Sequence, residues 1–436
     1  MKILIKNCHI ITADKSYFSD ILICDGTIQQ IAKNIELSDK NVKIINAENK
    51  YVFPGGIDPH VHMHLPTPAG YSSDDFDSGS KAAIAGGTTT IIDFVTPKKG
   101  QSLIEALELR QKEAEKSHIK CYFHVSPIEW TENTENEIIE CVNQGIKSFK
   151  VYMAYKKSIG LNDDILEKVI KIVAKAGGIL TVHAEIGDLI EELRDDFFNK
   201  GNTSPLYHAK SRPDYTESEA VKKVISLTKK HSCPLYIVHL SAAASIEHIK
   251  KALQDNQQVF AEACPHHLLL NETKYVGSFE DTSKFVLSPP LRTKNDNEAL
   301  WKAISEGIIK TVGTDHCPFS SIQKSIGKDD FRKIPNGAGG VEHRMSLLFT
   351  YGVLENRISL NKFVELTSTN AAKIFGLYPK KGEIAVNSDA DIVIWDPKLE
   401  SIISSKSHKQ NCDTNIYEGF KTIGGPEVVI LSGKIL

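Results

Sequence analysis

Between residue 54 and about residue 375 the chain repeats one local pattern eight times: a short apolar, β-prone run followed by a helix-like segment. The runs are Gly56–Asp58, Thr89–Asp93, Lys120–Val125, Lys147–Val151, Ile179–His183, Leu235–His239, Gln258–Ala263 and Ile309–Asp315. Helical periodicity falls around 75–86, 101–117, 134–144, 163–177, 214–230, 243–254 and 296–307, with 363–375 after the last run. Start signals are visible, such as Asn162-Asp163-Asp164 ahead of Ile165. Strands that alternate with helices pair in parallel, and eight of them predict a closed (β/α)8 TIM barrel over residues 54–378. An open doubly wound sheet would put a glycine-rich phosphate turn after the first strand, and none is there.

The two ends read differently. Ile3-Leu4-Ile5, Ile21-Leu22-Ile23 and Thr27–Ile31 are β-prone, with an Asp25-Gly26 hairpin signal between the last two. Asp391–Trp395 and Val428–Leu431 are apolar runs near the other end. Residues 1–53 and 379–436 are therefore expected to form the two parts of a small β-sandwich beside the barrel.

A barrel gathers its chemistry at the C-terminal ends of its strands. The first run leads into Asp58-Pro59-His60-Val61-His62, and the fourth ends near Lys150. The fifth ends at His183, the sixth at His239 and the eighth at Asp315. On an extended segment residues i and i+2 share a side, so His60 and His62 face one point. Alone, His-x-His fits a polar loop as well as a metal site. Five such residues at the same end of consecutive strands point to a metal centre. Four neutral imidazoles and one carboxylate exceed what one tetrahedral zinc with an open position takes; they suit two ions about 3.5–4 Å apart. A carboxylate normally bridges such ions. Lys150 stands where that bridge belongs, and charged lysine is a poor ligand, so residue chemistry leaves the point open.

Net charge is −3, with 41% hydrophobic and 25% charged residues, which suggests neither a nucleic-acid nor a membrane partner. The N-terminal apolar run is too short for a signal-peptide core. Eight scattered cysteines without Cys-x-x-Cys fit reduced thiols in the cytoplasm.

Tyr51–His62, Ala82–Phe94, Ser148–Tyr155, Leu287–Arg292, Thr314–Phe319 and Val341–Val353 together resemble the cyclic-amidohydrolase branch of the amidohydrolase superfamily. Within it the chain is similar to dihydropyrimidinases and D-hydantoinases, including phenylhydantoinases. The resemblance implies that Lys150 is N6-carboxylated and bridges two divalent ions, zinc ahead of manganese. The implied ligands are His60, His62 and Asp315 on one ion and His183 and His239 on the other. It implies ring opening of a small cyclic amide, a dihydropyrimidine or 5-substituted hydantoin, by a metal-bridging hydroxide. Asp315 would act as base then acid, and Tyr155 as oxyanion donor. Ser288 and Asn336 match positions whose backbone holds the substrate's imide edge. By position Leu65, Tyr152 and Ile159 are expected near the ring substituent. His64, also expected near the substrate, occupies the position at which dihydroorotases carry a carboxylate-binding arginine, which argues against dihydroorotate. Allantoinase and dihydroorotase remain alternatives with the same reaction type, and a non-catalytic scaffold is a further one. Relatives are commonly tetramers and run some tens of residues beyond the position of Leu436; a homo-oligomer, tetramer or dimer, is the expectation. His124, His266, His267, His316, Cys317, His343 and Arg344 are read as structural.

Overall fold

The computed structural model describes residues 2–37 and 41–436. All eight predicted runs are strands: Gly56–Val61, Thr88–Val95, Lys120–Val125, Ser148–Tyr152, Ile179–His183, Leu235–Ile237, Val259–Ala263 and Ile309–Val312. They lie in chain order, each hydrogen-bonded in parallel to the next. Helices cover one face and strand side chains fill the other, so the strands read as nearly continuous apolar runs. Thr88–Val95 is buried at every residue.

The sixth and eighth strands stop short of prediction, before His239 and Asp315. Those two residues have φ of 39° and 51°, a left-handed conformation that strand pairing excludes. His239 and Asp315 thus sit on the turns just past their strands, whereas His60, Lys150 and His183 lie within theirs.

The helices form for local reasons. In Asp163–Lys175, Leu166, Val169, Ile170 and Val173 recur at helical spacing and are buried. The Asn162 side chain caps the first turn by accepting from Ile165 N at 2.9 Å. The stretch predicted as one helix over 363–375 is instead Leu360–Val364 and Asn370–Ile374 joined by a π-helical turn, Glu365–Thr369. There the Thr367 carbonyl accepts from Arg344 Nη1 at 3.3 Å, outside the helix's own ladder.

That arginine also fastens the barrel seam. Between the first and eighth strands the ladder is reduced to a bridge of Val61 to His316. His62 N donates to the His316 carbonyl at 2.8 Å. Thr314 donates to the Asp58 carboxylate from N and Oγ1, at 3.1 and 2.6 Å. Arg344 Nη1 donates to the carbonyls of Ile57 and Val312, both at 2.9 Å, from full burial. Arg344→Met keeps the bulk and removes every donor. Breaking a buried charged cluster from one side costs about 3–5 kcal/mol. The variant is expected to show a correspondingly lower urea midpoint; an unchanged midpoint would remove Arg344 from the seam.

The two ends do meet, as one continuously hydrogen-bonded mixed sheet of eight strands. Tyr51–Pro54 lies at the join, parallel to Lys2–Ile11 and antiparallel to Ile392–Ile402. Alternating residues from both ends, among them Ile3, Ile5, Ile21, Ile23, Ile392 and Ile394, share one core. The Asp25-Gly26 hairpin forms, with φ of 46° and 85°. Between Ile392–Ile402 and Lys421–Leu431 the chain makes an excursion to the barrel: Asn411 N donates to Asp74 Oδ1 and Ser321 N to Asp413 Oδ1, both at 2.8 Å. Among the described residues no helix is long and apolar enough to cross a membrane.

Candidate metal centre

The His-x-His of the first strand works as its spacing predicts. His60 Nε2 and His62 Nε2 lie 3.0 and 3.1 Å from the same atom, Asp315 Oδ1. His60 Nδ1 meets Glu262 Oε1 at 2.6 Å. With Nδ1–H donating to that carboxylate, Nε2 is the lone pair of the neutral imidazole, the form that binds a metal ion. His60 Nε2 is buried, and its approach to Asp315 lacks hydrogen-bond geometry. Burial works against charge on His60, but the Glu262 and Asp315 carboxylates raise it to about 9. That pocket attracts a cation, whether proton or metal ion. Burial lowers His62 to about 4, which keeps it a neutral ligand-type imidazole. Burial also opposes charge on Asp315, yet His60 and His62 hold it well below the ordinary carboxylate range.

The fifth and sixth strands supply a second pair. His183 Nδ1 is 2.9 Å from His239 Nε2. His183 Nε2 donates to Glu185 Oε2 at 2.7 Å, so its Nδ1 lone pair faces inward. Glu185 is itself paired with buried Arg212. Burial opposes ionisation of Glu185, but Arg212 and His183 bring it down to about 2. Both histidines are lowered by burial, and His239 lies well below its usual value.

Lys150 lies in the wall between the two pairs and is 1% exposed. Its Nζ is 4.8 Å from the centroid of Phe94, the ring against which His60 and His62 also pack. It is 5.2 Å from the centroid of Tyr152, which neighbours His183. No ion pair or hydrogen bond holds that nitrogen among the described residues. Burial lowers Lys150 to about 7, more than Asp315 and Glu262 raise it. Near neutral pH a large share of it is the free amine, which is the nucleophilic form.

Toward solvent, Tyr155 is half-buried at φ 59°, 5.3 Å ring to ring from His183 and 5.4 Å from Arg212 Cζ. Ser288 and Asn336 come together across the mouth: Asn336 Nδ2 donates to Ser288 Oγ at 3.0 Å. Leu65 lies in a loop closed by its own N to Ser72 Oγ at 2.8 Å. His64 turns away from the ligand cluster. Its ring stacks on Tyr71 at 4.0 Å, and its Nδ1 is 3.7 Å from Glu113. Tyr152 is buried beside Lys150, deeper than a loop contact would be, while Ile159 is half-buried in the loop after the fourth strand.

Of the histidines read as structural, all but His266, whose buried Nε2 has no hydrogen-bond partner among the described residues, have such partners. His124 bonds Ser148 Oγ at 2.6 Å and the Pro59 carbonyl at 2.9 Å. His316 meets Asp74 at 3.1 Å and accepts from Gly340 N at 3.0 Å. His267 donates to the Pro289 carbonyl at 3.1 Å, beside His266. His343 faces the amide of Asn415 at 2.9 Å. Glu262, Glu185 and Arg212 escaped the sequence reading. A glutamate inside the apolar strand Val259–Ala263 was the available signal, since a carboxylate there needs a partner.

The family model for the amidohydrolase family matches residues 51–436. The chain belongs to that family. It is 42% identical to a D-hydantoinase of Geobacillus stearothermophilus over 99% of this chain and 92% of the relative. It is 40% identical to a dihydropyrimidinase of Arabidopsis thaliana, over 100% and 82%. A crystal structure of a D-hydantoinase superposes with a TM-score of 0.98 at 42% identity, covering 100% of this chain and 95% of that one. The barrel and the terminal sheet of this amidohydrolase are therefore shared with solved hydantoinases, over nearly their whole length.

Proposed function

We propose that this amidohydrolase opens the ring of dihydropyrimidines or 5-substituted hydantoins, giving the N-carbamoyl amino acid. One observation carries the reading: two imidazoles converge on Asp315 Oδ1, and a second imidazole pair stands on the other side of a buried, unpartnered lysine. His60, His62 and Asp315 are suited to one divalent ion and His183 and His239 to another. The amine of Lys150 adds to carbon dioxide, forming an N–C bond and losing one proton. The product is a carboxylate of the right charge and reach to be shared. The donor set fits zinc first, with manganese a competitor.

When bound, two such ions supply ionised water near neutral pH and polarise the scissile carbonyl. The rest falls to the protein. Asp315 takes the proton of the attacking water and delivers it to the leaving nitrogen, as base and then acid. Tyr155 donates to the developing oxyanion. The backbone around Ser288 and Asn336 holds the imide edge, and Leu65 and Ile159 line the way for the substituent. Tyr152 backs Lys150.

Glu262 fixes the His60 tautomer. Loss of such an outer partner lowers metal affinity about 10–100-fold. Glu262→Gln is expected to do so in chelator competition, with far-UV circular dichroism unchanged; unaltered affinity would make Glu262 a packing residue only.

The eight free cysteines support a reducing compartment, the cytoplasm. Self-association as a dimer or tetramer is part of this reading, and light scattering measures it. The function is tested by a panel of dihydrouracil, hydantoin, 5-phenylhydantoin, allantoin and dihydroorotate with added zinc or manganese. Dihydrouracil or a hydantoin should dominate. Dominant turnover of dihydroorotate or allantoin, or none at all, overturns the reading.

A further inference from the structure

The loop over residues 318–340 contains a short helix, Ser321–Ser325, whose polarity is reversed. Ile322 is 78% exposed and Ile326 53%, while Lys324 is 1% exposed. Burying the lysine and exposing the isoleucines serves no hydrophobic purpose. A lysine so placed has work to do with its three donors.

Those donors are all used on backbone. Lys324 Nζ donates to the carbonyl of Pro335 at 2.7 Å, Gly337 at 2.8 Å and Val286 at 2.9 Å. Pro335 and Gly337 flank Asn336, and Val286 lies two residues before Ser288. Burial pushes Lys324 down to about 7, but the three carbonyls match the three N–H bonds of the ammonium and favour it, since a neutral amine would leave one of them unmet. The two segments are also tied directly: Gly337 N donates to the Val286 carbonyl at 3.0 Å, and Asn336 Nδ2 to Ser288 Oγ. Gly337 has φ of 143°, and a Cβ there would come within 2.5 Å of the Cys317 carbonyl, two residues past Asp315. Both segments are therefore set against the end of the eighth strand, with Lys324 Nζ as their common point.

The same helix reaches a third loop. Gln323 Nε2 donates to the carbonyls of Ala69 and Tyr71, at 3.2 and 2.7 Å, in the loop after the first strand.

We propose that Lys324 is a positioning residue for substrate: its Nζ locks the backbone at 286–288 and 335–337 into the one arrangement that receives the edge of the cyclic amide. This rests on the role given above to Ser288 and Asn336. Lys324 touches neither substrate nor metal, so its effect is on KM through these two segments.

The test uses the full-length, metal-loaded enzyme and Lys324→Met, which keeps length and removes the donors. KM for the best cyclic amide is expected to rise about 10-fold or more, with a smaller change in kcat and an unchanged metal content. In a double-mutant cycle with Asn336→Ala the losses in kcat/KM should fall well short of multiplying, because both act on one element. Wild-type KM in Lys324→Met, multiplying losses, or a loss that only tracks metal or folded protein would each overturn the proposal. If that variant fails to fold, hydrogen exchange on wild-type holoenzyme decides. Saturating N-carbamoyl-β-alanine should protect the amides of Leu287, Ser288, Asn336 and Gly337 together, and protection that omits either segment overturns it. A wild-type enzyme inert on the whole substrate panel strikes the proposed function itself; normal KM in the variant of an active enzyme strikes Lys324 alone.

Discussion

Lys150→Met is expected to lower kcat/KM by about 10⁴-fold or more and to strip the protein of at least one bound ion. The reason begins with burial. A lysine this enclosed, with two aromatic rings and no carboxylate in contact, carries a heavy desolvation penalty as a cation. Carboxylation, as proposed, would replace the unpaired cation with an anion that two divalent ions could share. Methionine matches the length without offering a nitrogen. Two further readouts separate this from ordinary damage. Wild-type apoprotein reconstituted with zinc in carbon-dioxide-free buffer should recover little activity, and added bicarbonate should restore it. The second readout is the pH dependence of apoprotein stability. Lys150 is lowered to about 7 in the folded protein from 10.5, so the unfolded chain binds more protons between those values. Wild-type apoprotein should therefore gain stability through this group as pH rises from about 7 to 10.5, with the penalty fully present below pH 7. Lys150→Met lacks that slope and should be the more stable apoprotein at pH 6. Full metal content with near-normal turnover in Lys150→Met would remove the lysine from the centre.

How much of this was legible in the sequence follows from what each contact depends on. The barrel was legible because a strand buried on both faces shows itself locally, as in Thr88–Val95. The candidate ligands were legible because each stands at or just past the C-terminal end of such a strand. The ring of groups behind them was not. Glu262 and His60 are 202 residues apart and meet only because the barrel curls back on itself. Glu185 follows His183 by two residues, but its value depends on Arg212 arriving from a different segment. Lys324 lies between exposed isoleucines and reads as a solvated charge until the loop folds over it. At the ends, alternation marked the strands, yet alternation carries no strand order, so the place of Tyr51–Pro54 between Lys2–Ile11 and Ile392–Ile402 was not legible. The π turn at Glu365–Thr369 had no local signal, since it answers to the distant guanidinium of Arg344.

Asp315→Asn isolates the proton-transfer step from the binding of metal. Asparagine has the same shape and keeps one oxygen directed at His60 and His62, so part of the metal affinity should survive. What it lacks is a site for the proton. A positioned base contributes about 10²–10⁴-fold, and the loss should appear mainly in kcat, with KM for the cyclic amide little changed. The pH profile sharpens the case. Burial alone would raise Asp315, but the two imidazoles hold it well below the ordinary carboxylate range, so it stays ionised through mildly acidic pH. Its protonation therefore does not set the acid limb of the wild-type profile, and bound cations would only push it lower. Asp315→Asn should lower the plateau and leave the limb where it was. Were Asp315 instead an inert spacer between the histidines, the variant would keep kcat within about tenfold once saturated with metal, and the base would have to be sought elsewhere in the site.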